Sequence, residues 1–455
     1  MRRLYRRIAA GGGQTLLAAI LLLLILCPLG MIFLRAVFTD GRLNFAAAWA
    51  VVSQPENVQT VLNSLALGVC VVALSTAIAA PLAWLFSRTE LARRRWPDVV
   101  LLVPFMTPPY IASMGWILFM QKRGLFQQLF PFTGQWSTGF FSFFGLVLVM
   151  SLHVFPFMMT ILKNAMLNIP SSLEESGAVF GAGFGVRLRR ILLPLLSGNF
   201  AIGALLVFVK TLSEYGTPAT LGRRIGFTVF TTDIHRAAVV APIDFSRAAS
   251  LSAVLVGICL LVWFMQNTIT ARKSYRLVGG KGVRVRLLPL KRWQKILAWG
   301  YVGAVLTLSI GVPVFSCTVT SLIRLRGYGM RAGNYTLQHY AELFTQNQKG
   351  VSAILVSLLL AVSSATIAAA LGTAVAMAVH GMKKRAGKAL EAVSLLPEML
   401  PGIVLVIGIM LFWNAVYRYA PLYNTLWIMI VAYTALFLPF TVQYVTSALT
   451  QLSGQ

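Results

Sequence analysis

Runs of apolar residues, broken by short polar stretches rich in arginine, recur from one end of the chain to the other. An apolar run of about 20 residues can cross the hydrocarbon core of a bilayer as a helix. The pattern predicts such spans at Leu16–Phe38, Val58–Phe86, Val99–Met120, Phe140–Leu162, Gly198–Leu212, Ala249–Thr268, Ile296–Leu322, Val351–Val379, Val393–Tyr417 and Thr425–Leu449. No ten-residue segments of alternating polarity occur, so the reading is an all-α polytopic bundle rather than a membrane barrel. The N-terminal MRRLYRR followed by an apolar stretch has the outline of a signal peptide. Its apolar run is too long for one, and TDGRLNF after Phe38 holds no small-residue cleavage site, so it is taken as a retained first helix.

Composition agrees with lipid as the solvent: 58% of residues are hydrophobic and 11% charged. Charge then sets orientation. Arg2, Arg3, Arg6 and Arg7 precede the first span, Arg88, Arg93, Arg94 and Arg95 follow the second, and Arg187, Arg189 and Arg190 follow the fourth. Arg272, Lys273, Arg276, Lys281, Arg284, Arg286, Lys291, Arg292 and Lys295 follow the sixth, and Lys383, Lys384, Arg385 and Lys388 the eighth. Every second loop is basic, which the positive-inside rule satisfies with a cytoplasmic N-terminus. Arg223, Arg224, Arg236, Arg324, Arg326 and Arg331 run against that bias and would face outside. The net charge of +27 is accounted for by topology and anionic headgroups, and nucleic acid is not an expected partner. Cys27, Cys70, Cys259 and Cys317 are widely separated within apolar spans, and His153, His235, His339 and His380 are dispersed. Neither set forms a disulfide framework or a metal-ligand cluster.

The chain repeats itself. Ser64 pairs with Ser357, Ala83 with Ala376, Pro104 with Pro397, Pro108 with Pro401 and Gly115 with Gly408, all in one register (397 − 104 = 293). Further on, Pro156, Phe157 and Ala165 match Pro439, Phe440 and Ala448. Six spans separate equivalent points, so the units share one orientation and form a parallel repeat, with a pore expected between them. The expected division is a first unit at 1–271, a basic, flexible cytoplasmic linker at 272–295 and a second unit at 296–455. Pro104/Pro108 and Pro397/Pro401 should kink or break the third and ninth spans, either as structural bends or as gating hinges.

The loop after the fourth span reads SSLEESGAVFGAGFGVRLRRILLPLL. Glu175, Gly181, Ile191, Leu193 and Pro194 fall at the spacing of the Glu-Ala-Ala loop, so the chain resembles the permeases of binding-protein-dependent ABC importers. Ser176 and Gly177 stand where the alanines would, still small, with Glu174 ahead of them. The resemblance implies a type I ABC permease fold of two six-helix units and a short coupling helix lying in a groove on a cytoplasmic ABC ATPase, present in two copies. It further implies a periplasmic substrate-binding protein, a bacterial inner-membrane location, ATP hydrolysis on a separate subunit, and neither catalytic residues nor a cofactor in this chain. By the repeat, Ser172 falls opposite Gln455, so a second docking loop and two more helices, roughly one hundred residues, are expected beyond it.

After the fifth span, VKTLSEYGTPATLGRR resembles the double-length permeases of ferric-iron importers, which implies iron as cargo. Permeases for thiamine, phosphonates or polyamines are the rival reading. Glu214 and Tyr215 stand where the helix is interrupted, and an ionisable group there is either part of the translocation path or a hydrated interfacial residue. A secondary transporter of the major facilitator type also has two parallel halves. It would carry an acidic, glycine-bearing loop where this chain reads SRTELARRRWPD, and it has no use for the Glu175–Pro194 spacing. The spans show no paired Asp, or Ser with His, of the kind an intramembrane enzyme needs.

Overall fold

The computed structural model describes residues 11–39, 42–272, 287–382 and 384–453. The basic N-terminus (Arg2, Arg3, Arg6, Arg7), Lys273 to Arg286 of the linker, and Lys383 lie outside the described residues.

Among the described residues, eight helices are long and apolar enough to cross a membrane, and two bent helix pairs bring the number to ten. In chain order they are α1 (Gly12–Val37), α2 (Pro55–Arg88), α3 (Trp96–Met106 with Pro109–Met120), α4 (Phe143–Leu167) and α5 (Phe184–Ser213). There follow α6 (Phe245–Ile269), α7 (Arg292–Leu322), α8 (Gln348–Gly381), α9 (Arg385–Met399 with Gly402–Ala415) and α10 (Leu426–Gln451). Each coincides with a span expected from the apolar runs. A two-residue antiparallel pairing, Phe38–Thr39 with Arg42–Leu43, follows α1.

Proline shapes these helices in two ways. Pro108 and Pro401 hold extended backbone (ψ 129° and 131°) and start the second limbs of α3 and α9, so the spans bend by 87° and 111°. At Pro28, Pro194 and Pro313 the helix continues, because the turn just ahead widens to a π-helix: Leu22–Leu26, Leu188–Leu192 and Thr307–Gly311. A proline ring presses on the carbonyl four residues back and supplies no N–H. In each case the residue before proline donates five residues back instead, Cys27 to Leu22, Leu193 to Leu188 and Val312 to Thr307, which makes room for the ring.

The chain forms two compact units that follow space rather than sequence order. One, Val61–Val229 with Leu261–His339, contains most of α2, then α3, α4, α5 and α7. Its core is built around α4, the most buried of the long helices, with Leu82, Leu101, Ile117, Leu146 and Phe155 among the side chains enclosed there. The other, Met1–Thr60, Phe230–Leu260 and Tyr340–Gln455, contains α1, most of α6 and α8 to α10. Thus the opening helix of each sequence repeat packs on the third span of the other repeat. The matched glycines mark both crossings: a Cβ on Gly115 would lie 2.5 Å from Pro313 Cα, and one on Gly408 2.6 Å from the Pro28 carbonyl oxygen.

The helix begun by α6 extends to Arg272 and α7 begins at Arg292, while residues 287–291 are strapped along the end of α2. Leu288 donates to the Arg88 carbonyl (2.9 Å) and accepts from Glu90 (3.2 Å). Leu290 N–H and Lys295 Nζ both reach Glu90 Oε1 (3.0 and 2.9 Å). Lys295, aided by the Leu290 N–H, holds the Glu90 carboxyl below the usual carboxylate range.

Because backbone cannot retreat as a side chain can, Gly115→Val should overpack the α3–α7 crossing and cost about 1–3 kcal/mol. Thermal unfolding in detergent should show a lowered midpoint and reduced folded yield, whereas Gly300→Ala, where a Cβ meets nothing within 4 Å, leaves both near wild type. Equal melting of Gly115→Val and wild type would contradict the close approach.

Candidate functional site

The loop after α4 folds into a short helix, Ser171–Val179, entered through extended Pro170. It ends in a Schellman turn: Gly181 has φ +80°, its N–H donates to the Ala178 carbonyl (3.0 Å), and Ala182 N–H donates to the Gly177 carbonyl (2.9 Å). A residue with a Cβ is strained at that φ, which is why this position suits glycine. Chain reversal then leads through Phe184–Arg187 and the π turn into the body of α5, Leu193–Ser213, with Pro194 in its first turn.

One face of the short helix is fixed to the protein. A Cβ on Gly177 would sit 3.0 Å from Ile191 Cδ1 and 3.3 Å from Arg187 Cγ, so the glycine lets the two arms of the loop close on each other. Arg187 Nη1 also donates to the Glu174 carbonyl (3.4 Å), and Phe184 packs edge-on against Trp84 (5.7 Å between centroids). The strongest tie is ionic. Arg88, 2% exposed at the last position of α2, pairs with the Glu174 carboxylate (3.0 Å, 15% exposed) and donates to the Ile169 carbonyl (3.1 Å). Removing one partner of such a pair strands a buried charge, so the pair fixes where the helix sits even where its net stabilisation is small.

The other face is open. Glu175, Ser176, Leu193 and Pro194 are exposed, and at the tip so are Val179 (84%) and Phe180 (90%). The arrangement therefore presents a carboxylate and an apolar tip on a helix braced from behind, a form suited to seating in a groove on another protein.

The remaining residues singled out in the sequence lie elsewhere. Glu214 follows the last turn of α5, and the 21 residues of Leu193–Ser213 place it roughly 30 Å from the loop, at the opposite end of the helix. Its Oε1 accepts from Thr217 N–H (2.7 Å) where the chain turns into the π turn Pro218–Gly222. This turn lies against the second limb of α3: a Cβ on Gly216 would be 2.8 Å from Tyr110 N, and Ser113 and Thr220 hydroxyls are 2.5 Å apart. Glu214, Tyr215 and the bend at Pro108 are thus brought together. Pro104 sits in the first limb, its carbonyl taken by His153 Nδ1–H (2.9 Å). Pro397 and Pro401 form the bend of α9 in the other compact unit, where Glu398 beside Pro397 is hydrogen-bonded by Gln443. No group of His, Cys, Asp and Glu with metal-holding geometry occurs among the described residues.

Sequence reasoning missed Arg88, which looked like one more topology charge. The repeat partner of Arg88 is Gly381 (88 + 293 = 381), so the charge is not part of what the two repeats share. Arg187 and Phe180 carried no comparable mark.

Residues 76–275, from within α2 past the end of α6, match the family described as binding-protein-dependent transport system inner membrane component. The match takes in the whole braced loop, and with eight to ten apolar spans among the described residues the chain is a multi-pass membrane protein. A candidate ferric transport system permease protein, FbpB 1, of Haemophilus influenzae is 26% identical over 412 residues, covering 88% of this chain and 62% of the relative. The ferric transport system permease protein FbpB of Actinobacillus pleuropneumoniae is 26% identical over 417 residues, 88% of this chain and 58% of the relative. The sulfate transport system permease protein CysT of Salmonella typhimurium is 22% identical over 256 residues, 56% of this chain and 90% of the relative. The chain therefore spans about six-tenths of the length of the two ferric relatives.

The brace generates a sharp contrast between neighbouring carboxylates. Glu174→Ala should strand Arg88 and cost about 3–5 kcal/mol, and Arg88→Met added to it should recover most of the loss. Glu175→Ala, on the open face, should stay within about 0.5 kcal/mol of wild type. Denaturation midpoints in detergent read all three, and equal stability of the two single variants would remove the pair from its bracing role.

Proposed function

We propose that the chain is the membrane-spanning permease of an ATP-driven importer, and that Ser171–Val179 is the seat of a cytoplasmic ABC ATPase subunit that hydrolyses ATP separately from this chain. The observation that carries this reading is the braced helix itself, with its back held by Arg88, Ile191 and Arg187 and its apolar tip at Val179 and Phe180 exposed. A push on that tip is transmitted to α2 through the Arg88–Glu174 pair and to α5 through the Gly177–Ile191 contact. Glu174, Glu175, Ser176, Gly177, Gly181, Ile191, Leu193 and Pro194 are the proposed coupling set. Two ATPase copies fit a parallel repeat of units divided at 1–271, 272–295 and 296–455. A cytoplasmic position for this loop and for the N-terminus is part of the proposal, supported by the basic residues Arg93, Arg94 and Arg95 that follow α2.

Ferric iron delivered by a periplasmic binding protein is the proposed cargo, supported by the two ferric permeases that align along most of the chain. Sulfate is the second reading, favoured by the sulfate permease that aligns over nearly its whole length. Uptake of radiolabelled iron against radiolabelled sulfate, in cells supplying the ATPase and binding protein, separates the two. Glu214 and Tyr215, beside the Pro108 bend, are the proposed path residues, and the bends at Pro104/Pro108 and Pro397/Pro401 the proposed hinges.

Glu175→Lys should leave the protein inserted in the membrane and lower uptake at least about tenfold, a loss of apparent coupling worth one decade in an equilibrium. Normal co-purification with the ATPase together with normal uptake would remove Glu175 from the interface. Glu214→Ala, at the far end of α5, should reduce uptake while the ATPase still co-purifies. Unchanged uptake kinetics in this variant would leave Glu214 a hydrated interfacial residue.

A further inference from the structure

The arginines that run against the positive-inside bias have no part in the import reading. Arg236 is neutralised locally by Asp233 (2.9 Å), but Arg223 and Arg224 lie in the same compact unit as Lys122 and Arg123, which follow α3. The segment from Gln121 to Ser142 contains no carboxylate. It encloses a cavity of about 650 Å³ lined by Lys122, Arg123, Gln127, Ser137, Thr138 and Phe141. The Arg224 guanidinium stands over the Phe141 ring at 5.8 Å, adding a third cation at the rim.

Two features set this cavity apart from a solvated basic loop. Ser137, one of the lining residues, is 3% exposed, and its buried hydroxyl has no hydrogen-bond partner. A buried hydroxyl left in this way costs free energy unless a ligand engages it. Arg123 is held at φ +58°, an unusual backbone for a long side chain, by its N–H donating to Gln127 Oε1 (2.6 Å) and its carbonyl accepting from Gln128 Nε2 (3.0 Å). Beside the cavity, Phe132 (86% exposed) and Trp136 (69%) project outward, as aromatic residues do at the level of lipid headgroups.

We propose that this cavity binds a phosphate-type oxyanion, with an anionic phospholipid headgroup or free inorganic phosphate as its source. Lys122 and Arg123 supply charge, the guanidinium fork matches phosphate oxygens, and the Ser137 hydroxyl donates from the buried side. The volume exceeds what one small ion fills, and the flanking aromatics suit a headgroup with its glycerol backbone. Site occupancy would offset the cost of keeping cations on the side of the membrane the topology rule disfavours.

Titration of the full chain in neutral detergent with phosphatidylglycerol, phosphatidylcholine and inorganic phosphate, followed by native mass spectrometry and thermal shift, tests this. Phosphatidylglycerol, inorganic phosphate or both should bind in preference to phosphatidylcholine, and whichever binds identifies the source. Lys122→Gln with Arg123→Gln should weaken binding about tenfold or more and Ser137→Ala several-fold. Arg189→Gln with Arg190→Gln, on the docking loop, should change nothing. Melting without ligand checks that the variants fold, and Arg224→Gln at the exposed rim serves as a second, milder probe expected to weaken binding. Absence of binding by both phosphate sources, or equal affinity in wild type, the double cavity variant and Arg224→Gln, would overturn the proposal. The assay reads binding alone, so its outcome is independent of import.

Discussion

In hydrocarbon every backbone N–H and C=O must find a partner inside the protein, and the chain's departures from straight helix are the places where proline breaks that arrangement. Three prolines are absorbed by widened turns, with the preceding residue bonding five back. At Pro108 and Pro401 the helix is interrupted outright, and in α3 the carbonyl of nearby Pro104 is taken by His153 from α4. The interruption after α5 follows the same rule, since Glu214 caps the Thr217 N–H before the next proline turn. Bends in this protein therefore come with partners that fix their geometry.

The end of α2 is where several parts meet. The Arg88 side chain holds the Ser171–Val179 helix, its own carbonyl accepts from Leu288, and Glu90 two residues on binds Leu290 and Lys295. One turn of chain thus ties the Glu-bearing loop of the first repeat to the segment that leads into α7, the first helix of the second repeat. A displacement of Ser171–Val179 acts on both through short, charge-assisted bonds rather than through a loose connection.

Much of this was legible in the sequence because lipid imposes a simple code: apolar length marks spans, and paired prolines mark breaks. The shape of the loop after α4 was legible because its glycine and proline have geometric duties, a left-handed turn at Gly181 and a helix start at Pro194. The Arg88–Glu174 pair was not, since partners 86 positions apart (174 − 88 = 86) leave no local pattern and a buried arginine reads like any basic loop residue. The strap at 287–291 was hidden for a similar reason. Its glycine-rich, basic surroundings resemble a free linker, while the bonds that hold it are made by backbone groups any residue possesses.

The exchange of opening helices bears on how the protein is made. During synthesis α1 emerges first, but the glycine face it packs against, at Gly408, lies 380 residues behind Pro28 (408 − 28 = 380). Contacts so distant along the chain form late and slowly, because the intervening polymer must be ordered before they are gained. The nascent first repeat thus waits with its leading helix uncommitted and the α3 face around Gly115 vacant until α7 arrives. Neither half reaches its final packing alone, and the waiting intermediate is the species most open to misassociation with other membrane helices.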